Sequence, residues 1–351
     1  MGPDSPVLKV MTMDNMYKLP YRGALFLPIN HHWWVAHLAQ LQSRCRMIKL
    51  IIKILITVAI LAFITVKIDL TAVFNVVRNM PAEFFVYALV MQLLSVVLAS
   101  YRWYLIMKRL AFVQGPMFFL KSYLKGSFFN QALPGGIGGD AYRVIECAAL
   151  GYGKKSSFYG VLLDRILGLI GILLLNLLAN VAHSGLLPLP IFHLLNIVAL
   201  GGIGAVIIFA LLGKIDRFSN YKFTRHLHEI SADLRRVYHD QWSIAFQSVL
   251  SVLIHFVSML AVYFIGIGVG LNYDLLTFLV LVPPVMLLTI APISLAGWGV
   301  REGGMIGLFM LIGADKALVL SMSVLYGLIL FAASLPGLYL FLINRQKSNA
   351  K

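Results

Sequence analysis

Charge is what this sequence has least of. Asp, Glu, Lys and Arg together make up 12% of its 351 residues, where a soluble domain carries about a quarter. Acidic residues are the scarcer sign, 14 against 29 basic. Cysteine occurs twice, as Cys45 and Cys147, which excludes a disulfide framework and any thiolate metal spacing. No nucleophile elbow G-x-S-x-G, zinc motif H-E-x-x-H or Walker loop is present, and no D-x-D pair that would hold a sugar nucleotide's metal. Gly136-x-Gly138-x-x-Ala141 imitates a dinucleotide turn, but no strand–helix–strand unit frames it. Neither a cofactor nor a metal is therefore expected. Residues 1–46 lack a continuous apolar run before a small-residue cleavage site, so a cleaved signal peptide is not expected.

What is present is apolar. Hydrophobic residues make up 60% of the chain and mean hydropathy is +0.86. Apolar runs recur from residue 48 to residue 343, and runs of about 20 residues are what a bilayer core about 30 Å thick demands of a helix. Spans are read over 48–66, 84–107, 157–182, 191–212, 243–268 and 317–343. Two further apolar stretches are shorter and interrupted. The first, 116–133, contains Lys121 and Lys125 and stops at Pro134; the second, 275–291, contains Pro283 and Pro284, with Pro292 following.

The formal net charge of +15 would suggest nucleic acid in a soluble protein. Here the basic residues gather in the N-terminal region, 108–125, 143–155, the loop 213–242 and the C-terminus, while the turns at 183–190 and 271–274 carry almost none. The positive-inside rule accounts for that pattern with both termini cytoplasmic, and anionic lipid is the expected partner, not nucleic acid. In the extension 1–46, His31, His32, Trp33, Trp34 and His37 cluster. A histidine metal site and an interfacial segment with Trp at head-group level compete, and the absence of an acidic or thiol ligand favours the second.

With residues 108 and 155 on one face, everything between them enters and leaves by that face; with 271 and 316 on the other, the second broken stretch dips in from the opposite side. The expected fold is all-α and polytopic: six full spans plus two re-entrant hairpins, in halves of inverted topology at about 47–187 and 188–346, followed by a short tail, 347–351. Inverted halves with Gly/Pro-broken helices at matching positions point to a transporter's binding site. The apices share a spacing, Pro134-x4-Gly139-x3-Arg143 and Pro292-x4-Gly297-x3-Arg301.

Unwound backbone in a bilayer is tolerated where protein or a wet cavity satisfies it. Helices resuming after Gly135, Gly136, Gly138 and Gly139, and after Gly297 and Gly299, would aim free N–H groups at the break. Arg143 and Arg301 beside them suit a phosphate or carboxylate. A plainer reading puts Arg143 at the interface and neutralises Arg301 with Glu302; adjacent helical residues do not face each other, so Glu302 is expected to pair elsewhere. Asp164 and Arg165 lie about 10 Å into their span. Asp164 is expected to pair with Arg143 or Arg301, leaving Arg165 for Glu146 or a ligand. His255, near the middle of its span, reads as a packing residue before a proton carrier. The expected scheme is rocker-type alternating access, with an anionic head group held between Arg143 and Arg301.

Asn130-Gln131-Ala132-Leu133-Pro134-Gly135-Gly136-Ile137-Gly138-Gly139-Asp140-Ala141-Tyr142-Arg143 resembles the first signature of the lysylphosphatidylglycerol synthase transmembrane-region family, which is flippase-like. Asp164-Arg165 with Gly168-Leu169, then Pro292-Ile293-Ser294 through Gly297-Trp298-Gly299-Val300-Arg301-Glu302-Gly303, resemble its later motifs in order, so the likeness covers 48–343. It implies an inner-membrane domain that moves lipid or lipid-linked head groups between leaflets, with these residues at the substrate site. It also implies a glycosyltransferase or other lipid-biosynthesis protein as candidate partner. Bifunctional relatives add a soluble domain that aminoacylates phosphatidylglycerol. This chain stops eight residues after its last span, so that catalysis is not expected of it. The competing functions are a membrane-embedded enzyme or accessory subunit of polyprenol-linked glycan or glycolipid synthesis, and a scaffold; a DedA-type translocase fits the motif order less well.

Overall fold

The computed structural model describes residues 70–132, 137–212, 222–238, 240–290, 294 and 296–349. The extension 1–46, the span 48–66, Pro134, Gly135, Gly136 and Pro292 lie outside them. Regular structure among the described residues is entirely helical. The helices are α1 (Leu70–Asn79), α2 (Ala82–Arg109), α3 (Pro116–Ala132), α4 (Gly138–Ala148), α5 (Lys154–Ala182), α6 (Leu189–Leu212), α7 (Lys222–Val237), α8 (Gln241–Gly268), α9 (Leu275–Ile290), α10 (Val300–Phe309) and α11 (Lys316–Asn349).

Five of these, α2, α5, α6, α8 and α11, are long and apolar enough to cross a membrane, and they coincide with five of the six spans read from sequence. The protein is a multi-pass helical membrane protein. α6 has almost nothing buried along its apolar length, as suits a helix facing lipid. α2 starts after Pro81, whose extended backbone cannot continue a helix backwards. Asp240 caps α8 by accepting from the Ser243 amide at 2.6 Å. Asp274 does the same for α9 from the Thr277 amide at 2.9 Å. The Thr277 hydroxyl adds to that bond and holds the Asp274 carboxyl below its ordinary value.

Three features differ from the sequence reading. The basic stretch 213–242 contains α7, because Ile230, Leu234 and Val237, one helical turn apart, bury against Ile106, Tyr159, Leu163 and Leu167. That stripe is hidden in sequence by the many charges around it. Secondly, Pro283 and Pro284 do not interrupt α9, which continues to Ile290 with both prolines buried. Proline at 284 removes the N–H that would bond the Val280 carbonyl four residues earlier. Asn176 on α5 supplies the missing donor, Nδ2 to Val280 O at 2.9 Å, so the helix passes through. Thirdly, α4 and α10 are 11 and 10 residues long, about 15 Å each. Each is half a crossing.

The packing repeats between halves. α2 packs on α8; α3 on α11 as α9 on α5; α3 on α4 as α9 on α10; α4 on α5 as α10 on α11; α2 on α3 as α8 on α9; α2 on α5 as α8 on α11; and α2 on α11 as α8 on α5. Exchanging α2–α5 for α8–α11 leaves this set unchanged. If α5, α6 and α8 each cross and the α3–α4 unit returns to the face it entered by, α2 and α8 run in opposite senses, the inverted arrangement expected from sequence. Each broken hairpin thereby leans on the last span of the other half.

Candidate functional site

The first hairpin closes at glycine. The α4 backbone at Gly139 presses on α3 at Gly126, where an added Cβ would lie 2.0 Å from the Gly126 carbonyl oxygen. Only hydrogen fits there. Asn130 locks the approach by accepting the Gly139 amide at 2.8 Å on Oδ1. That fixes the first turn of α4 and directs Asp140 and Arg143, three residues apart, toward α5.

A buried charge cluster results. Asp164 accepts from Arg143 Nη1 on Oδ2 at 2.9 Å, and from Arg102 Nη2 and Nε on Oδ1 at 2.8 and 3.1 Å. Arg102 Nη2 also reaches the Asp164 carbonyl at 3.0 Å, and its Nη1 reaches Ser251 Oγ at 3.1 Å. Asp140 bridges outward: Oδ1 accepts from Arg143 Nη2 and Oδ2 from Arg165 Nε, both at 2.6 Å. The Arg143 guanidinium lies 4.7 Å from each of the Trp103 and Tyr123 rings, an arrangement that favours the cation. Arg102, Arg143 and Asp164 are all buried, and charges in such a place need partners of this quality. Behind them Lys125 pairs with Glu146.

This cluster faces a cavity of about 490 Å³. Arg102, Arg143, Asp164, Arg165 and Asn130 line it, together with the apolar side chains of Ile166, Ile254, Met259, Met286, Ile290 and Leu330. His255 also lines it and donates Nε2–H to the Gly168 carbonyl at 2.8 Å, a packing bond consistent with the plainer reading. Gln92, Ser258 and Tyr326 also line it as a polar group, with Ser258 Oγ 3.3 Å from Gln92 Oε1 and 3.1 Å from Tyr326 Oη.

The second apex is built alike but closed. Gly297 and Gly299 have φ of +81° and +84°, a region open to glycine without strain. Arg301 stacks on Trp298, 4.8 Å from its ring, as Arg143 stacks on Trp103. Its partner corrects the sequence expectation. Arg301 Nη2 donates to Glu302 Oε1 at 2.6 Å, Nε to the same oxygen at 3.1 Å, and Ser323 Oγ lies within 3.3 Å of both side chains. Glu302 Oε2 accepts the Gly299 amide at 2.6 Å. The rule against adjacent pairs holds inside a helix; here, in the first turn, Glu302 folds back to the cap and the long Arg301 side chain reaches it.

Among the described residues, Arg143 and Arg301 do not line the same cavity. Asn130, Arg143, Asp164 and Arg165 line the cavity, Asp140 joins them through its bonds, and Gly138 and Gly139 support them from α4. Gly297, Gly299, Arg301 and Glu302 are not on its wall; Tyr326 is, with its ring 6.0 Å from the Arg301 guanidinium on the other side. Of the pairings expected for Asp164, the one to Arg143 forms. Arg165 meets Asp140 instead of Glu146.

Arg102 and Ser251 were missed by sequence reasoning. Arg102 reads as the basic flank of its span, yet α2 runs on to Arg109, which leaves Arg102 about 10 Å inside its end. The signal was available in the apolar residues Leu105, Ile106 and Met107 that follow it.

Fold and site thus define a multi-pass membrane protein with broken helices and a charged cavity between its halves. The family model for the lysylphosphatidylglycerol synthase TM region matches residues 50–337, most of the chain, and the chain belongs to that family. No curated protein matches it.

Proposed function

We propose that the protein translocates a lipid or lipid-linked anionic head group between the leaflets of the cell's inner membrane, with both termini cytoplasmic. One observation carries this reading: a single cavity joins a buried guanidinium cluster to apolar walls. Such a site suits a molecule with a charged head and hydrocarbon tails. The head group sits against Arg143 and Arg165, with Asn130 beside it, while Asp164 and Arg102 hold Arg143 in place. The tails follow Ile166, Met286 and Ile290 toward lipid. Arg301, Glu302, Gly297 and Gly299 form the counterpart station, which takes the head group when the second hairpin parts from α11.

The test is head-group movement in proteoliposomes, read with a fluorescently labelled anionic phospholipid and a membrane-impermeant quencher. Arg143→Gln should slow it by roughly ten- to a hundredfold, the loss of one charge-assisted hydrogen bond of about 1.5–3 kcal/mol. An unchanged rate in a variant that still melts cooperatively removes the assignment.

A further inference from the structure

The two short helices neutralise their arginines in different ways. Arg143 sits on α4, but its buried partner Asp164 belongs to α5, at 2.9 Å. Asp140 on α4 also accepts from Arg165 on α5. Swinging α4 away from α5 would pull a buried guanidinium from its carboxylate, a costly way to open a protein interior. The same arm is gripped from other sides. Trp103 of α2 and Tyr123 of α3 lie against the Arg143 guanidinium. Phe341 of α11 packs edge-on against Phe129, which is itself stacked on Tyr142 of α4.

α10 carries both members of its ion pair. Arg301 and Glu302 are neighbours on it and stay together wherever it goes. Among the described residues, their side chains hydrogen-bond to one other helix, through Ser323 of α11. Its hydroxyl lies 3.3 Å from both Arg301 Nε and Glu302 Oε1, long contacts to a neutral group. The Tyr326 ring of α11 is 6.0 Å from the guanidinium. Met305, Ile306 and Phe309 supply apolar packing, and apolar faces can shear past one another without stranding a charge. Both arms have pivots: Gly151 follows α4 with φ of +91°, while Gly299 precedes α10 and Gly313 follows it at +76°. The difference therefore lies in what each arm must break, not in backbone freedom.

We infer that α10 is the moving arm of this protein and α4 the fixed one: α10 parts from α11 with its Arg301–Glu302 pair intact, while α4 stays pinned to α5. The motion is one-sided although the packing is two-fold. This goes beyond the transport reading and does not depend on which head group is carried.

Spin labels test it. In a background of Cys45→Ala and Cys147→Ala, one nitroxide pair is placed at Gly307→Cys on α10 and Leu335→Cys on α11. A second pair is placed at Ile145→Cys on α4 and Leu178→Cys on α5. All four positions are exposed, and a side chain added at Gly307 meets open space. Distances are read by double electron–electron resonance in phosphatidylcholine nanodiscs containing an anionic phospholipid. The Gly307 pair should give two distances or one broad distribution, and the Ile145 pair a single narrow one. Glu302→Gln combined with Ser323→Asp then moves the carboxylate from α10 to α11 at constant net charge. Arg301 gains the kind of partner that Arg143 has, and glutamine keeps an acceptor for the Gly299 amide. The Gly307 pair should collapse to one distance, and labelled-lipid movement should slow roughly tenfold or more. A single narrow Gly307 distance in wild type overturns the inference. So do equal spreads in both pairs, or a Gly307 spread that the charge transfer leaves unchanged. If the double variant loses its thermal transition, the wild-type distances decide alone. The expected distances without head-group movement would remove the transport reading and leave this inference standing. Movement with a motionless α10 would do the reverse.

Discussion

Arg102 has the most to lose. Three of its bonds go to Asp164, and losing one member of a buried pair costs up to about 3–5 kcal/mol, although Asp164 would keep its bond to Arg143. Arg102→Met should therefore lower the melting temperature in detergent strongly. Adding Asp164→Asn to it should cost less than Asp164→Asn costs on its own, because no Arg102 is then left buried without its carboxylate. Simple additivity of the two single changes would show that the pair does not act as a unit. Little of this was legible beforehand. Asp164 and Arg165 could be picked out as charges inside an apolar run, and the pairing of Asp164 with Arg143 was among the expected choices. Arg102 was not picked out, because a basic residue near the end of a span looks the same in sequence whether it snorkels or turns inward. The Arg301–Glu302 pair was misjudged for a related reason: periodicity rules describe helix interiors, and this pair sits on a cap.

At the scale of the element, α9 depends on a donor from outside itself. Asn176→Leu should leave the Val280 carbonyl unsatisfied beside Pro284, at a cost of about 1–3 kcal/mol. The effect should be local. Hydrogen exchange should quicken in α9 and hardly change in α2, and a uniform change across the spans would refute the assignment. The second hairpin has an analogous dependence on Glu302, which links its cap to Arg301. Helix existence was well marked in sequence, since five apolar runs became five long helices within a few residues. Continuity was not. Pro283 and Pro284 read as a break because sequence cannot say that a side chain 104 positions away will replace the lost hydrogen bond. α7 was overlooked for the opposite reason: its buried stripe of Ile230, Leu234 and Val237 is short and its composition is polar.

For the whole molecule, the exchange symmetry of the packing predicts a topology. In a background lacking both cysteines, single cysteines at Gly115 and Lys154, at the two ends of the first hairpin unit, should react with an impermeant maleimide from one face. Cysteines at Tyr273 and Asp315, flanking the second, should react from the other. Labelling of all four from one side would end the inverted-repeat description and with it the alternating-access scheme. The two apices are not in the same condition in this structure. Arg143 of the first lines a cavity, and Arg301 of the second is held by its ion pair with Glu302.

Hydropathy and the two glycine-rich motifs were enough to determine a polytopic helical bundle and its family. These depend on local composition and on the bilayer's demand that every span satisfy its own backbone. Only the tertiary structure decided which charges meet. Asp164 lies between Arg102 and Arg143, on helices 62 and 21 residues distant in sequence, and Asn176 reaches α9 from the other half. Long-range partners of this kind depend on how helices cross, and the spacing along one helix does not encode that.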